Sequence, residues 1–385
     1  MERTEVKKLA RQIRGVSYKP EDLHYSLDDS AVILLRANNI DNGKINFDDV
    51  VYVDKSKVSG EQYLLPGDIL ICASSGSKQL VGKAASVHFD KPCTFGAFCK
   101  VVRPISGMER YLGTYFQSGI YRREISTVAI GANINNIRNE HIDALEIPIY
   151  SQEERQSIVT KMGLLQGIID KRKVELDILD DLTKARFVEM FGTYPANEKG
   201  WDVGTIRDLV TEVRYGSSRK AADGDSGKYP YLRMNNITYG GELDLNDTKT
   251  IDIPDEELDK CTVRRGDLLF NRTNSKELVG KTCVYNRDEM MVLAGFVVRV
   301  RLNDRALPEF VSAFLNTDFS KQMLLNMCKA AIGQANINAQ ELQNIGLYIP
   351  PTELQREFVS FKAQVDKSKV IDVMDRLGLL QLASA

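Results

Sequence analysis

Two polar turns carry the side chains best suited to recognising an anion. The first reads Ser74-Ser75-Gly76-Ser77-Lys78, with Lys83 shortly after; the second reads Asn271-Arg272-Thr273-Asn274-Ser275-Lys276, followed by Lys281. Hydroxyl, carboxamide and ammonium groups gathered in a turn suit hydrogen bonds to phosphate oxygens. Arg272 and Asn274 have a further capacity, because a guanidinium matches the guanine edge and a carboxamide the adenine edge in a major groove. Ser and Asn also shape turns through bonds to their own backbone, so residue type alone leaves a structural role open. The candidate contacts are Ser74, Ser75, Ser77, Lys78 and Lys83 in the first turn, and Arg272, Asn274, Ser275, Lys276 and Lys281 in the second.

No catalytic set accompanies these turns. Leu278-Val279-Gly280-Lys281-Thr282 has the end of a phosphate-binding loop, but Ser275 stands where that loop needs its first Gly. Pro254-Asp255-Glu256-Glu257 is acidic enough for a nuclease, yet no acidic-x-Lys triplet follows, and it reads as a solvated turn. Neither an Asn/Asp-Pro-Pro-aromatic motif nor a Gly-rich S-adenosylmethionine loop is present. The cysteines (Cys72, Cys93, Cys99, Cys261, Cys283, Cys328) include no Cys-x-x-Cys, and His24, His88 and His141 are scattered, so a zinc site is not expected. Most of these thiols sit in apolar runs and read as buried and reduced. No bound cofactor is expected.

The chain repeats itself. Leu34-Leu35-Arg36-Ala37-Asn38-Asn39-Ile40 matches Tyr231-Leu232-Arg233-Met234-Asn235-Asn236-Ile237, and Gly67-Asp68-Ile69-Leu70 matches Gly266-Asp267-Leu268-Leu269. Ser77-Lys78-Gln79-Leu80-Val81-Gly82-Lys83 matches Ser275-Lys276-Glu277-Leu278-Val279-Gly280-Lys281. Ile130-Gly131-Ala132-Asn133-Ile134-Asn135 returns as Ile332 to Asn338 with one insertion, and Ile147-Pro148 as Ile349-Pro350. The period is far too long for a solenoid and means a duplicated domain. Between the blocks the copies diverge, as expected of one scaffold with variable loops. Arg36, Asn38, Asn39, Asn133 and Asn135 recur as Arg233, Asn235, Asn236, Asn336 and Asn338, so they read as scaffold or phosphate-bonding groups rather than base readers.

Each copy opens with short apolar runs that suit buried strands: 31–35, 67–72, 82–90 and 93–102 in the first. A helix is expected over 110–120, with a counterpart over 310–319 whose Phe310, Phe314 and Leu315 face the core. A long helix then follows each copy. Ser151…Glu154 and Thr352…Gln355 have capping-box spacing. Behind them run Ile158, Met162, Leu165, Ile169, Leu176 and Leu179, and in the second helix Leu354, Phe358, Phe361 and Val365, at spacings of three and four that make a coiled-coil seam. Lys171, Arg172, Lys173 and Glu175 read as a solvated face. The first helix stops near Phe191, before Gly192 and Pro195. Roughly 38 residues would span about 57 Å, which suits a spacer or docking element.

This order of blocks resembles the specificity subunit of type I restriction-modification systems over nearly the whole chain. The resemblance implies an α+β fold: two target-recognition domains with mixed or antiparallel β cores, separated by two long antiparallel coiled-coil helices in pseudo-twofold arrangement. The expected divisions are 1–150 and 193–350 for the recognition domains and 151–192 and 351–385 for the helices. It implies double-stranded DNA with a split, asymmetric target as ligand, two S-adenosylmethionine-binding modification subunits as partners, and restriction subunits as optional further partners. One departure stands out: the second helix ends in Gly378-Leu-Leu-Gln-Leu-Ala-Ser-Ala385, without a counterpart to Lys184-Ala-Arg186-Phe187.

Composition agrees. Lys and Arg total 51 against 53 Asp and Glu over 385 residues, so there is no chain-wide basic coat, and any positive field must be local or shared with a partner. No apolar stretch approaches the roughly 18 residues of a membrane span, and the charged start Met-Glu-Arg-Thr-Glu is unlike a signal peptide, so a cytoplasmic protein is expected. A fused methyltransferase or nuclease would need the missing motifs. A pure scaffold or regulator would not need two divergent copies.

Overall fold

The computed structural model describes residues 2–76, 80–131, 136–222, 226–331 and 334–384; Ser77, Lys78, Asn133 and Asn135 lie outside the described residues. The chain divides into two compact units, Met1–Lys171 with Asp375–Ala385, and Arg172–Met374, so both divisions run inside the long helices.

Among the described residues, each unit holds one module with the same framework. In the first, Ala10–Arg14, Cys99–Pro104, Ile69–Cys72 and Ala84–Ser86 form an antiparallel sheet in that order. In the second, Val210–Tyr215, Val297–Leu302, Leu268–Asn271 and Thr282–Val284 form its counterpart in the same order. A second sheet is built on a parallel pair, Cys93–Phe95 beside Ala31–Leu35 and Met291–Leu293 beside Tyr229–Leu232. Outside that pair the sheets differ: the first module adds Leu23–His24 to Val51–Asp54, the second adds Thr262–Val263 to Met291–Leu293. Finally, the first strand of each module pairs with its last, Glu2–Glu5 with Glu146–Ile149 and Asp202–Thr205 with Gly346–Ile349.

The duplicated sequence blocks now have physical roles. Gly67 and Gly266 sit at φ +91° and +89°, a conformation that favours glycine. The aspartate after each is buried and grips an arginine 35 or 34 residues further along the chain. Arg103 donates from Nε and Nη2 to the two carboxylate oxygens of Asp68 at 2.8 and 2.7 Å, and Arg301 donates from Nε to Asp267 at 2.8 Å. Asp68 also accepts the Leu65 N–H, and Asp267 the Arg264 N–H, so each carboxylate ties a turn to the sheet. Asn39 and Asn236 are likewise buried. Each accepts the N–H of Arg36 or Arg233 and donates to the carbonyls of Asn46 and Asp49, or Asp244 and Asp247. At Asn39 and Asn236 the recurring side chains brace the backbone of the frame.

Several elements differ from the expectation. The run 93–102 is two strands, interrupted at Gly96-Ala97-Phe98, because the chain leaves the parallel pair there and crosses to the other sheet. The run 82–90 is a strand only over Ala84–Ser86. The expected helices over 110–120 and 310–319 are each broken: Glu109–Gln117 and Gly119–Gly131 in the first module, Pro308–Leu315 and Asp318–Met327 in the second. At the second break the Thr317 hydroxyl accepts the Ser320 N–H and starts a new helix. Pro254-Asp255-Glu256-Glu257 is not a solvated turn. Pro254 caps the helix Asp255–Cys261, whose acidic first turn suits a helix N-terminus.

The first long helix spans Gln152–Phe191, 40 residues or about 60 Å. Its capping box forms as read: Ser151 N–H donates to Glu154, and Glu154 N–H to the Ser151 hydroxyl. The second spans Thr352–Ser384, 33 residues, and starts differently. Gln355 is buried and does not reach back to Thr352. Its amide donates to the carbonyls of Pro350 and Arg305 and accepts the Leu307 N–H, locking the helix start onto the module. Within the second unit the two helices run antiparallel, with Arg186 bonded to Glu357 and Lys369 to Asp180. Phe187 and Phe191 pack with Phe310 and Phe358 at ring separations of 4.9–5.7 Å, so both helices are rooted in the second module's core.

Of the expected seam, Ile169 and Val365 are buried, and Ile158, Met162, Leu165, Leu176, Leu179, Leu354 and Phe361 are half-buried. Phe358 is wholly buried. Val159, which the spacing did not select, joins the first module's core.

Removing the Asp68 carboxylate should leave the largely buried Arg103, its side chain 13% exposed, without its ionic partner. Asp68→Ala is expected to cost about 3 kcal/mol. Asp267→Ala should cost less, because Arg301 also holds Glu212 at 2.7 Å. Hydrogen exchange of strands Ile69–Cys72 and Leu268–Asn271 in the two variants checks both the size and the order.

Candidate nucleic-acid interface

Each polar turn leaves the end of a central strand, Ile69–Cys72 or Leu268–Asn271, and is pinned on both sides in the same way. On one side a phenylalanine carbonyl accepts its backbone: Phe98 takes the N–H groups of Ala73 and Ser74 at 2.9 and 3.0 Å, and Phe296 takes the Arg272 N–H at 2.9 Å. On the other, the N–H of Ile137 donates to Ala73, and that of Ile337 to Arg272, while Ser74 bridges Asn136 and Thr273 pairs with Asn336. The start of each turn is therefore tied to its neighbours on both sides, and the side chains there, Ala73-Ser74-Ser75 against Arg272-Thr273-Asn274, vary between modules without disturbing the frame.

In the first module this brings Ser74 and Ser75 to the wall of a groove of about 610 Å³ that also holds Tyr18, Arg36, Asn38 and Phe98. Two separate sequence blocks thus meet at one surface. Arg36 and Asn38 both donate to the Asp49 carboxylate, at 2.9 and 2.7 Å. Lys83 is half-buried at the far end of the same turn.

In the second module Arg272 is half-buried and lies over the Tyr215 ring at 4.9 Å, with its Nε buried and without a hydrogen-bond partner among the described residues. A guanidinium stacked on an aromatic face is held in place. The first module has Arg14 and Ala73 at the matching places, so the pair belongs to one copy only. Asn274 is partly committed: its amide donates to Asn271 and its oxygen accepts the Ser275 N–H. Lys276 is exposed, beside half-buried Ser275.

Lys281 behaves differently from the other candidates. It is only 7% exposed, its Nζ donates to the Met234 carbonyl at 2.8 Å, and burial pushes its pKa down. The amine braces the turn against the Arg233-Met234-Asn235-Asn236 block and does not face outward. The spacing that matched Lys83 to Lys281 could not reveal this, because burial depends on the neighbouring block. Sequence reasoning also missed Tyr215 and the two phenylalanines. A signal for the latter was present: Gly96-Ala97-Phe98 and Ala294-Gly295-Phe296 recur in the same order as the other blocks.

Among the described residues there is no cluster of His, Cys, Asp or Glu able to hold a metal, and no helix long and apolar enough to cross a membrane. All six cysteines are free, and five are buried.

The duplicated frame and its paired turns have known relatives. The chain is 32% identical over 366 residues to the type I restriction enzyme EcoKI specificity subunit of Escherichia coli K12, covering 90% of this chain and 78% of that one. The chain belongs to the type I restriction enzyme specificity subunits. A second member, the StySPI specificity subunit of Salmonella potsdam, is 30% identical over 364 residues, with 90% and 78% covered. A sequence model of the type I restriction modification DNA specificity domain matches residues 198–373 of this specificity subunit, which take in the second module's sheets and much of the second long helix. A chain solved in a study of complex assembly and conformational transition of the type I R-M system shares the fold, with a TM-score of 0.53 at 15% identity over 100% of this chain and 95% of that one.

If Lys281 is a brace, Lys281→Ala should lower the stability of the second module by about 1–2 kcal/mol, since the Met234 carbonyl loses its buried partner. Urea unfolding of the variant, followed by hydrogen-exchange mass spectrometry at the backbone amides of that module, checks this.

Proposed function

We propose that this specificity subunit reads a two-part DNA sequence, one half with each module, and directs adenine-methylating partner subunits to it. The observation that carries the reading is the pair of equivalent turns. They stand on one frame, are pinned by the same backbone bonds, and share a Ser-Lys pair (Ser77-Lys78 and Ser275-Lys276), but differ just before it, Ala73-Ser74-Ser75 against Arg272-Thr273-Asn274. That is what two readers of two different half-sites require, since a rigid frame sets register and variable groups set sequence.

The contacts we assign are Ser74, Ser75, Ser77, Lys78 and Lys83 at one half-site, and Arg272, Asn274, Ser275 and Lys276 at the other. Phosphate contacts from the lysines and serines position the module. Arg272, pre-oriented on Tyr215, is the leading base reader, with a guanine edge as its best partner. The recognition modules are 1–150 and 193–350, and the helices 151–192 and 351–385 act as spacer and docking surface. In support, Leu164, Ile168, Ile178 and Leu182 are exposed on one face of the first long helix, beside the seam face. Two modification subunits, which would bind S-adenosylmethionine, are the partners for the helices, and restriction subunits would join through them.

The test is to co-express the chain with the modification subunit of its own system and map N6-methyladenine across the host DNA. A split motif with a fixed gap, lost when this chain is omitted, is the expected result. A stable complex that methylates no split motif would refute the reading. In the same maps, Arg272→Ala should relax one base position in one half-site and leave the other half unchanged; loss of discrimination in both halves would count against the assignment of one module to each half.

A further inference from the structure

Phe98 and Phe296 occupy equivalent places, each in the turn between the short parallel strand and the next long strand of its module. They are 70% and 49% exposed, while the flanking apolar residues Phe95, Cys99, Leu293 and Val297 are buried. A single exposed apolar side chain needs no explanation. Two exposed phenylalanines at matching positions of divergent copies do, because the core gains little from either ring. Leu80 with Leu278, and Ile120 with Phe319, also recur exposed, but the phenylalanine pair has the closest tie to the turns. Its carbonyls accept the first N–H groups of those turns, and Phe296 also accepts the Asn271 side-chain amide at 3.1 Å. Each phenylalanine's backbone is therefore held within one hydrogen bond of the candidate contacts.

We infer that Phe98 and Phe296 are apolar DNA anchors, one per module, whose rings pack on deoxyribose and base edges beside the polar turns without regard to sequence. The inference rests on the DNA reading above and names a second kind of contact within it. The surroundings favour a duplex over a protein partner. In the first module the ring shares its groove with Arg36, Asn38, Ser74 and Ser75, and in the second it adjoins the turn that carries Arg272 and Lys276. In the first module Arg36 and Asn38 are held by the Asp49 carboxylate, so the ring's polar neighbours are an ion-paired guanidinium, a carboxamide and hydroxyls; an apolar ring in such a polar setting fits a groove wall with phosphates on its rim. A protein anchor is ringed instead by further apolar contacts. The same residue in both copies, which otherwise differ, points to a feature that every half-site offers. Such an anchor also suits a chain with no excess of basic residues, since it adds affinity without charge.

The test uses the full chain assembled with its modification subunits. Affinity for a fluorescent target duplex and for a scrambled duplex is measured by anisotropy over a range of salt. Phe98→Ala and Phe296→Ala should each weaken binding to both duplexes about tenfold, the worth of losing much of one buried ring. The slope of affinity against salt should not change, because a ring displaces no counterions, whereas Lys276→Ala should reduce that slope by about one. Unchanged affinity in both phenylalanine variants, with Lys276→Ala still weakened, would overturn the anchor and leave the DNA reading intact. Loss on the target duplex alone would overturn its independence of sequence. Failure of the variants to assemble with the modification subunits would make the ring a protein contact and overturn it also. Absence of duplex binding by the parent complex would overturn both readings. Phe98→Trp and Phe296→Trp give a direct readout: indole emission, taken as the difference from the parent complex, should shift when duplex is added, and no shift would refute contact.

Discussion

The pairing of each module's first strand with its last is the constraint on which the rest depends. Glu2–Glu5 with Glu146–Ile149, and Asp202–Thr205 with Gly346–Ile349, bring the ends of a long segment to one place. Closing such a loop is entropically unfavourable, though only weakly dependent on its length. The closure is recovered in the sheets and cores it encloses. Because the last strand runs directly into a long helix, the same pairing decides where each helix leaves its module. Gln355, held by Pro350, Arg305 and Leu307, then fixes the direction of the second helix, and the Phe187, Phe191, Phe310 and Phe358 cluster holds both helices in the second unit.

Within this frame, buried polar groups do the positioning. Asp68 and Asp267 each satisfy an arginine and a turn N–H, and Asn39 and Asn236 each satisfy one N–H and two carbonyls. Such groups tolerate little substitution, since removing one partner strands the other in a medium that cannot solvate it. Along the turns the described side chains range from buried Asn271 and Thr273 to exposed Lys276, and the exposed ones carry no such penalty. That asymmetry explains why the duplicated blocks are scaffold and why the copies diverge where they would meet a ligand.

The electrostatics are correspondingly local. With acidic residues slightly in excess, the chain as a whole attracts no polyanion. Arg272 on Tyr215 and the exposed Lys276 are point features, and Lys281, basic in type, is spent on an internal carbonyl. Under the proposed reading, placement rather than overall field would distinguish one sequence from another.

The duplication, the two long helices, the capping box at Ser151 and the stop at Gly192 were all legible in the sequence, because they depend on local spacing and on matches along the chain. So were the scaffold roles of Arg36, Asn39, Arg233 and Asn236, through their recurrence. What the sequence left undetermined was set by contacts between distant segments. The partners of Asp68 and Asp267 lie at Arg103 and Arg301, beyond any local pattern. Lys281 and Lys276 are alike in type and close in sequence, yet one is buried under the Met234 carbonyl and the other is exposed. Phe98 sits in what reads as a continuous strand, and only the crossing from one sheet to the other turns its ring outward. Periodicity records which residues share a face; which face is covered, and by what, is decided when the sheets pack.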